Sequence, residues 1–114
     1  MININRIEEN NYLLIAVEGD ADASSAINLD KAIRDAFDEH HQNILIDCTN
    51  LNYISSAGLG VFMSYIEEIS TNSVNFILFG LSEKVLKVFA ILGLDQLLTI
   101  KENKEEAQKA LNGI

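Results

Sequence analysis

The stretch from Ile44 to Gly60 reads ILIDCTNLNYISSAGLG. Ile44-Leu45-Ile46 is apolar on both alternating faces, the pattern of a strand buried in the middle of a sheet. Asp47-Cys48 ends it. Asn50 to Ser56 then reads as a polar loop, with Leu51 and Ile54 as its apolar anchors. A helix opens near Ala57 or Gly58, with an apolar stripe of Leu59, Phe62, Met63, Ile66 and Ile69. A buried strand feeding a helix through a short polar loop is one half of a β-α-β unit, so this stretch predicts an α/β chain with parallel strands.

Reading outward gives the same unit repeatedly. Downstream, Thr71-Asn72-Ser73 ends the helix and Val74 to Phe79 forms the next apolar strand, closed by Gly80. Ser82 caps a third helix with Val85, Val88, Phe89 and Leu92 on its buried face, and Gly93 stands where a helix-ending glycine belongs. Leu94 falls in the following loop, partly exposed; Leu97 to Ile100 is a short last strand. Asn103 and Glu106 resemble a capping box for a final helix with Ala107, Ala110 and Leu111 inward. Upstream, Leu29, Ile33, Ala36 and Phe37 mark a helix capped by Ser24 or Ser25 and ending near Glu39; His40 to Asn43 is its exit loop. Ile2, Ile4 and Arg6 alternate with polar residues, and Tyr12 to Val17 pairs back on them across the Glu8-to-Asn11 turn. The expectation is one domain over residues 1–114: a mixed, mostly parallel sheet of about five strands, an N-terminal antiparallel hairpin and about four helices.

Composition narrows the function. Of 114 residues, 48% are hydrophobic and 22% charged, a globular mix. Seventeen acidic residues against eight basic ones give a net charge of −9. That argues against nucleic acid or an anionic membrane as direct partner, because phosphate backbones are bound by displacing counterions with Lys and Arg. A single cysteine, Cys48, excludes an internal disulfide and a cysteine-rich zinc site, and reads as a small core residue. MININRIEEN lacks the apolar core of a signal peptide, and no run is long enough to span a bilayer. A cytoplasmic monomer without cofactor or metal is the expectation.

Chemistry-bearing patterns are sparse. Gly58-Leu59-Gly60 is not a nucleotide fingerprint, since the third glycine of G-x-G-x-x-G would fall at Met63. Ser56 lacks a G-x-S-x-G elbow, and His40 and His41 fall at the other edge of the sheet from it, so a hydrolase is not expected. The two histidines lack a spaced third metal ligand and read as a solvated loop. Asp20, Asp22 and Asp47 gather at the carboxyl edge of a parallel sheet, either to bind a cation, to surround the serine loop with negative charge, or simply for solubility and capping. Ser55 and Ser56 stand at a helix N-terminus, where unpaired N–H groups and the positive end of the helix dipole favour an anion. They read either as ordinary caps or, at Ser56, as a place for a phosphate, with Gly58 and Gly60 leaving room for a bulky group.

Here the chain resembles the STAS domain family, and within it the anti-sigma factor antagonists. That family's pattern is a buried strand ending in Asp, a loop, then Asp-Ser-Ser/Thr-Gly-Leu-Gly opening a helix. This chain has Ile46-Asp47 and then Ser55-Ser56-Ala57-Gly58-Leu59-Gly60, and Glu18-Gly19-Asp20-Ala21-Asp22 is similar to the family's Gly-Glu-Leu-Asp segment. The resemblance implies a binding protein, not an enzyme. It places the family's phosphorylated serine at Ser56, with Ser55 as the alternative because it replaces the usual Asp. It also implies a docking face of Asp22, Ser55, Ser56, Ala57, Gly58, Leu59 and Gly60. The implied partners are an anti-sigma factor or related serine kinase and a PP2C-type phosphatase. The alternatives are a STAS scaffold that is never phosphorylated and a small-ligand or nucleotide-binding module.

Overall fold

The computed structural model describes residues 2–112. The chain opens with Ile2–Glu8 (β1) and Leu13–Ala21 (β2), then Ala26–Asp38 (α1), Asn43–Asp47 (β3) and Leu51–Ile54 (β4). Ser56–Ser64 (α2), Ile66–Thr71 (α3), Asn75–Phe79 (β5) and Glu83–Ile91 (α4) follow, then Leu94–Leu97 (α5), Thr99–Lys101 (β6) and Lys104–Asn112 (α6). One sheet runs β1-β2-β3-β5-β6, with β4 paired to β2 beside that path. Among the described residues only β1 and β2 pair antiparallel; the other pairs are parallel, as expected of an α/β chain with an N-terminal hairpin.

Alternation along the strands sorts the core into two layers. Leu13, Ile15, Ile44, Ile46, Phe76 and Leu78 face one side and pack against Leu29 and Ile33 of α1, Phe62 of α2 and Phe89 of α4. Leu14, Leu45, Ile77 and Phe79 face the other side, under Ala107, Ala110 and Leu111 of α6. Cys48 is fully buried in the larger layer.

The structure corrects the sequence reading at four places. The segment read as a polar loop contains β4. Strand β2 outruns β3: its residues 13–16 pair with β3, while Gly19, Asp20 and Ala21 pair with Leu51, Tyr53 and Ile54 across a bulge. Leu51 and Ile54 are buried, but Asn52 and Tyr53 between them are both exposed, so no period-2 signal appears. The second helix is broken at Tyr65, whose ring is buried and whose hydroxyl donates to the Asp30 carboxylate at 2.7 Å. Met63, on the predicted stripe, is 49% exposed. Leu92 is also half-exposed, whereas Leu94 is fully buried on α5; Gly93, at φ 73°, turns the chain inward between them. The last strand is correspondingly later, at Thr99–Lys101.

Capping follows the same logic. Ser82 Oγ accepts from Val85 N–H and Asn103 Oδ1 accepts from Glu106 N–H, as their positions predict. Ser25 occupies the N-cap position of α1 but its side chain caps nothing in the helix; the turn before it belongs to Asp22.

Candidate functional site

The carboxyl ends of β2, β3 and β4 meet the N-terminus of α2 at one edge. The backbone holds this edge together. Ser55 N–H donates to the Ala21 carbonyl at 2.8 Å, continuing the β2–β4 ladder, and Gly19 N–H donates to the Asn50 carbonyl at 2.9 Å. Asp47 Oδ1 accepts from Thr49 N–H at 2.9 Å and tightens the turn that leads into β4.

The two serines are not equivalent. Ser55, with extended backbone, is the N-cap of α2; its Oγ accepts from Gly58 N–H at 3.1 Å and its side chain is half-buried. Ser56, the first helical residue, is exposed, and among the described residues its hydroxyl has no hydrogen-bond partner. Ala57 is exposed beside it. The glycines differ as well. Gly58 is buried: a Cβ there would lie 2.8 Å from Ile54 Cγ1 and 3.2 Å from the Ala21 carbonyl, so the space it leaves is filled from within the chain. Leu59 is 3% exposed and belongs to the core. Gly60 is exposed, with nothing within 4 Å of where a Cβ would stand. Of the residues predicted for the docking face, Ser56, Ala57 and Gly60 line the surface, and Ser55, Gly58 and Leu59 set their positions from below.

Asp22 stands at the start of α1, which packs beside α2. Its carboxylate accepts from the Ser24 and Ser25 N–H groups at 3.1 and 3.0 Å and from the Ser24 hydroxyl at 2.8 Å. These donors, Ser24 first and then Ser25, hold the carboxyl down at about 2 from an ordinary 3.8. The stabilisation is therefore complete above about pH 4 and is lost as pH falls through 2. Asp22→Ala is expected to lower stability in full at pH 7 and progressively less as pH falls through 2, which flattens the acid limb; urea unfolding followed by circular dichroism at stepped pH reads this.

Three exposed residues outside the predicted set lie on the elements that build this edge. Tyr53, 47% exposed, lies opposite Asp20 in the β2–β4 register and two residues before Ser55. Ile27, 72% exposed, is in the first turn of α1, and Met63 lies on the outer face of α2. Ile27 carried a signal, being apolar off the 29-33-36-37 stripe; Tyr53 carried none while its segment read as a loop. The edge is acidic, with Glu18, Asp20, Asp22 and Asp47 all part-exposed, and no Lys or Arg occurs between residues 35 and 83.

Among the described residues, both histidines lie away from Ser56. His40, at φ 63°, and His41 lie in the turn between α1 and β3, at the opposite end of the strands. His41 Nε2 is 3.3 Å from Glu39 and 3.7 Å from Glu8, a trio of metal-ligand types rather than a free loop. A cation is already there: the Arg6 guanidinium donates to both Glu39 oxygens at 3.1 and 2.6 Å, and this pairing holds the Glu39 carboxyl at about 2.

Known proteins share this architecture. The model of the STAS domain family matches residues 2–107. An anti-sigma-B factor antagonist of Staphylococcus epidermidis is 26% identical over 104 residues, 91% of this chain and 96% of its own length. The crystal structure of an anti-sigma factor antagonist from Mycobacterium paratuberculosis superposes with a TM-score of 0.90 at 18% identity, covering 98% of this chain and 95% of the other. The anti-sigma factor antagonist SpoIIAA in its unphosphorylated form gives 0.77 at 22% identity over 100% and 98%; Bacillus SpoIIAA in its phosphorylated form gives 0.70 at 20% over 97% and 99%. At these identities the solved structures speak for the fold. With the family model covering nearly its whole length, the chain belongs to the STAS domain family, and its relatives over most of that length are anti-sigma factor antagonists.

Proposed function

We propose that this protein binds an anti-sigma factor of the serine-kinase type through the Ser56 edge and thereby releases the factor's client. Phosphorylation of Ser56 by that kinase ends docking, and a PP2C-type phosphatase restores it; the cycle runs in the cytoplasm. The observation that carries the reading is the contrast between the serines. The Ser55 hydroxyl is tied to Gly58 N–H, while that of Ser56 is exposed and unbonded at the helix N-terminus, where a phosphate is electrostatically favoured. The relatives support it: those named above are anti-sigma antagonists, and one is known in a phosphorylated form. Ser55 replaces the family's usual Asp, but its capping bond removes it as the easier acceptor.

The test is incubation with the cognate kinase and ATP, read by intact mass and phosphopeptide mapping. One phosphate on Ser56 is expected, retained in Ser55→Ala and absent in Ser56→Ala, which still binds the kinase. Modification confined to Ser55, or none at all, overturns the assignment.

Gly60→Ala separates docking from folding. Its Cβ enters open space, so the helix gains ~0.5–1 kcal/mol in propensity and the Tm rises. The added methyl stands on the docking face, so partner affinity is expected to fall in a titration at the same time.

A further inference from the structure

Strand β1 is an edge. Its inner side pairs with β2 along its whole length without a register break, and among the described residues no strand pairs with its outer side. A bare edge presents a row of N–H and C=O groups that template pairing with another strand. Proteins commonly guard such edges with lysine, proline, a bulge or a very short strand. The other edge, β6, has three residues; β1 has seven, ININRIE, without lysine, proline or a bulge, and its two charges, Arg6 and Glu8, both lie on the core-facing side, so a neighbouring strand is admitted only in a register that sets them against opposite charges. Its faces differ. Ile2 and Ile4 pack against the larger core, followed on that face by Arg6 and Glu8. Ile7, on the other face, is 46% exposed and lies opposite Leu14 of the smaller core.

We propose that β1 pairs antiparallel with β1 of a second copy of this chain, with the two-fold axis at Ile7. The axis position follows from the side chains. When a strand pairs with itself about an axis normal to the sheet, residues of equal parity stand opposite each other, on the same face. An axis at Arg6 sets arginine against arginine. An axis at Asn5 sets Ile7 against Asn3 and Arg6 against Ile4. An axis at Ile4 joins side chains already packed and leaves Ile7 in water. An axis at Ile7 sets the two Ile7 side chains against each other, extending the smaller core from one copy to the next, and places Arg6 opposite Glu8 twice; the ladder between copies then spans residues 6–8 of each, and residues 2–5 run past the partner's turn. Glu8 pairs with Leu13, at the end of β2 remote from Ser56, whereas Ile2 pairs with Gly19 at the near end. The dimer thus keeps both Ser56 edges open and presents two of them. It replaces the monomer expected from composition, and it holds whether or not the proposed partner is right.

The contact is small, so association is concentration-dependent and fastest to detect above about 100 μM, in the weak range of protein contacts. Sedimentation velocity of the full chain is expected to show a mass rising from 12.6 kDa toward twice that. Arg6→Glu and Glu8→Arg are each expected to weaken dimerisation about tenfold or more, and the double exchange to restore it. The exchange cannot restore the Arg6–Glu39 bond, but it does restore the Arg6–Glu8 pair within one chain at 3.9 Å, so restoration is read together with the crosslink below. Ile7→Cys should form a disulfide-linked dimer under mild oxidation, since directly opposed residues of an antiparallel pair lie within disulfide reach. Wild type carries only the buried Cys48 and should not crosslink. A mass that stays at the monomer value at every concentration, a double exchange that fails to restore association, or an Asn3→Cys variant that crosslinks as readily as Ile7→Cys overturns the proposal.

Discussion

A phosphate on Ser56 is expected to lower partner affinity by at least about a hundredfold while moving the Tm by only a few degrees. The phosphate adds about −1.5 to −2 charges at neutral pH. Within the chain it meets the helix N-terminus, which favours it by roughly 0.3–2 kcal/mol, so the second helix is not destabilised. No lysine or arginine of the 35–83 stretch neutralises it, and the carboxylates of Glu18, Asp20, Asp22 and Asp47 share its edge. Its effect therefore lies at the interface, where a desolvated charge without a counter-ion costs several kcal/mol. Ser56→Asp, with about half the charge, should act in the same direction more weakly. Calorimetric titration with the partner, thermal melts and amide exchange on both forms test this. Broad loss of protection through residues 57–69 in the phosphorylated form would mean local unfolding instead of surface block.

Gly80→Ala should give the largest loss of stability among the single substitutions considered, about 2–4 kcal/mol. Gly80 has φ +78°, where an L-residue is strained, and an added Cβ would lie 2.5 Å from Thr49 Oγ1 and 3.2 Å from the Thr49 backbone N and Cα. The hydroxyl can rotate away; the backbone cannot. Relief requires moving the turn that Asp47 holds ahead of β4, so the damage spreads from the end of β5 to the docking edge. The Tm is expected to fall by about 10 °C or more, read by calorimetry, in contrast to the rise for Gly60→Ala.

The difference between these glycines shows where sequence reading stops. Ile44-Leu45-Ile46 and Val74 to Phe79 are legible because burial on both faces leaves an uninterrupted apolar run. Leu29, Ile33, Ala36 and Phe37 are legible because a helix repeats its buried side at a fixed period. Strand β4 is not: Leu51 and Ile54 are inward with two exposed residues between, and its pairing depends on β2 outrunning β3, a fact about distant chain. At the site, the Ser55-Ser56 pair and the helix start are visible in the residues. Which serine caps the helix is decided by backbone angles, and whether Gly58 or Gly60 faces outward by the packing of Ile54. Leu92 and Leu94 exchange their expected exposures because Gly93 turns the chain between them.

The fork in β2 has a consequence for how the protein is made. The hairpin of β1 and β2 is local and can form as soon as it leaves the ribosome, but the docking edge cannot. Its serine turn hangs from the Ala21 carbonyl only after β4 has emerged and found the far end of β2, and Phe62 of α2 rests on Phe89 of α4, ring centroids 5.7 Å apart. A nascent chain therefore has no surface to offer until most of it has been translated. On the proposed function, competence to bind arrives late and nearly all at once, and incomplete products left by stalled or truncated synthesis are expected to be silent toward the partner rather than partly active.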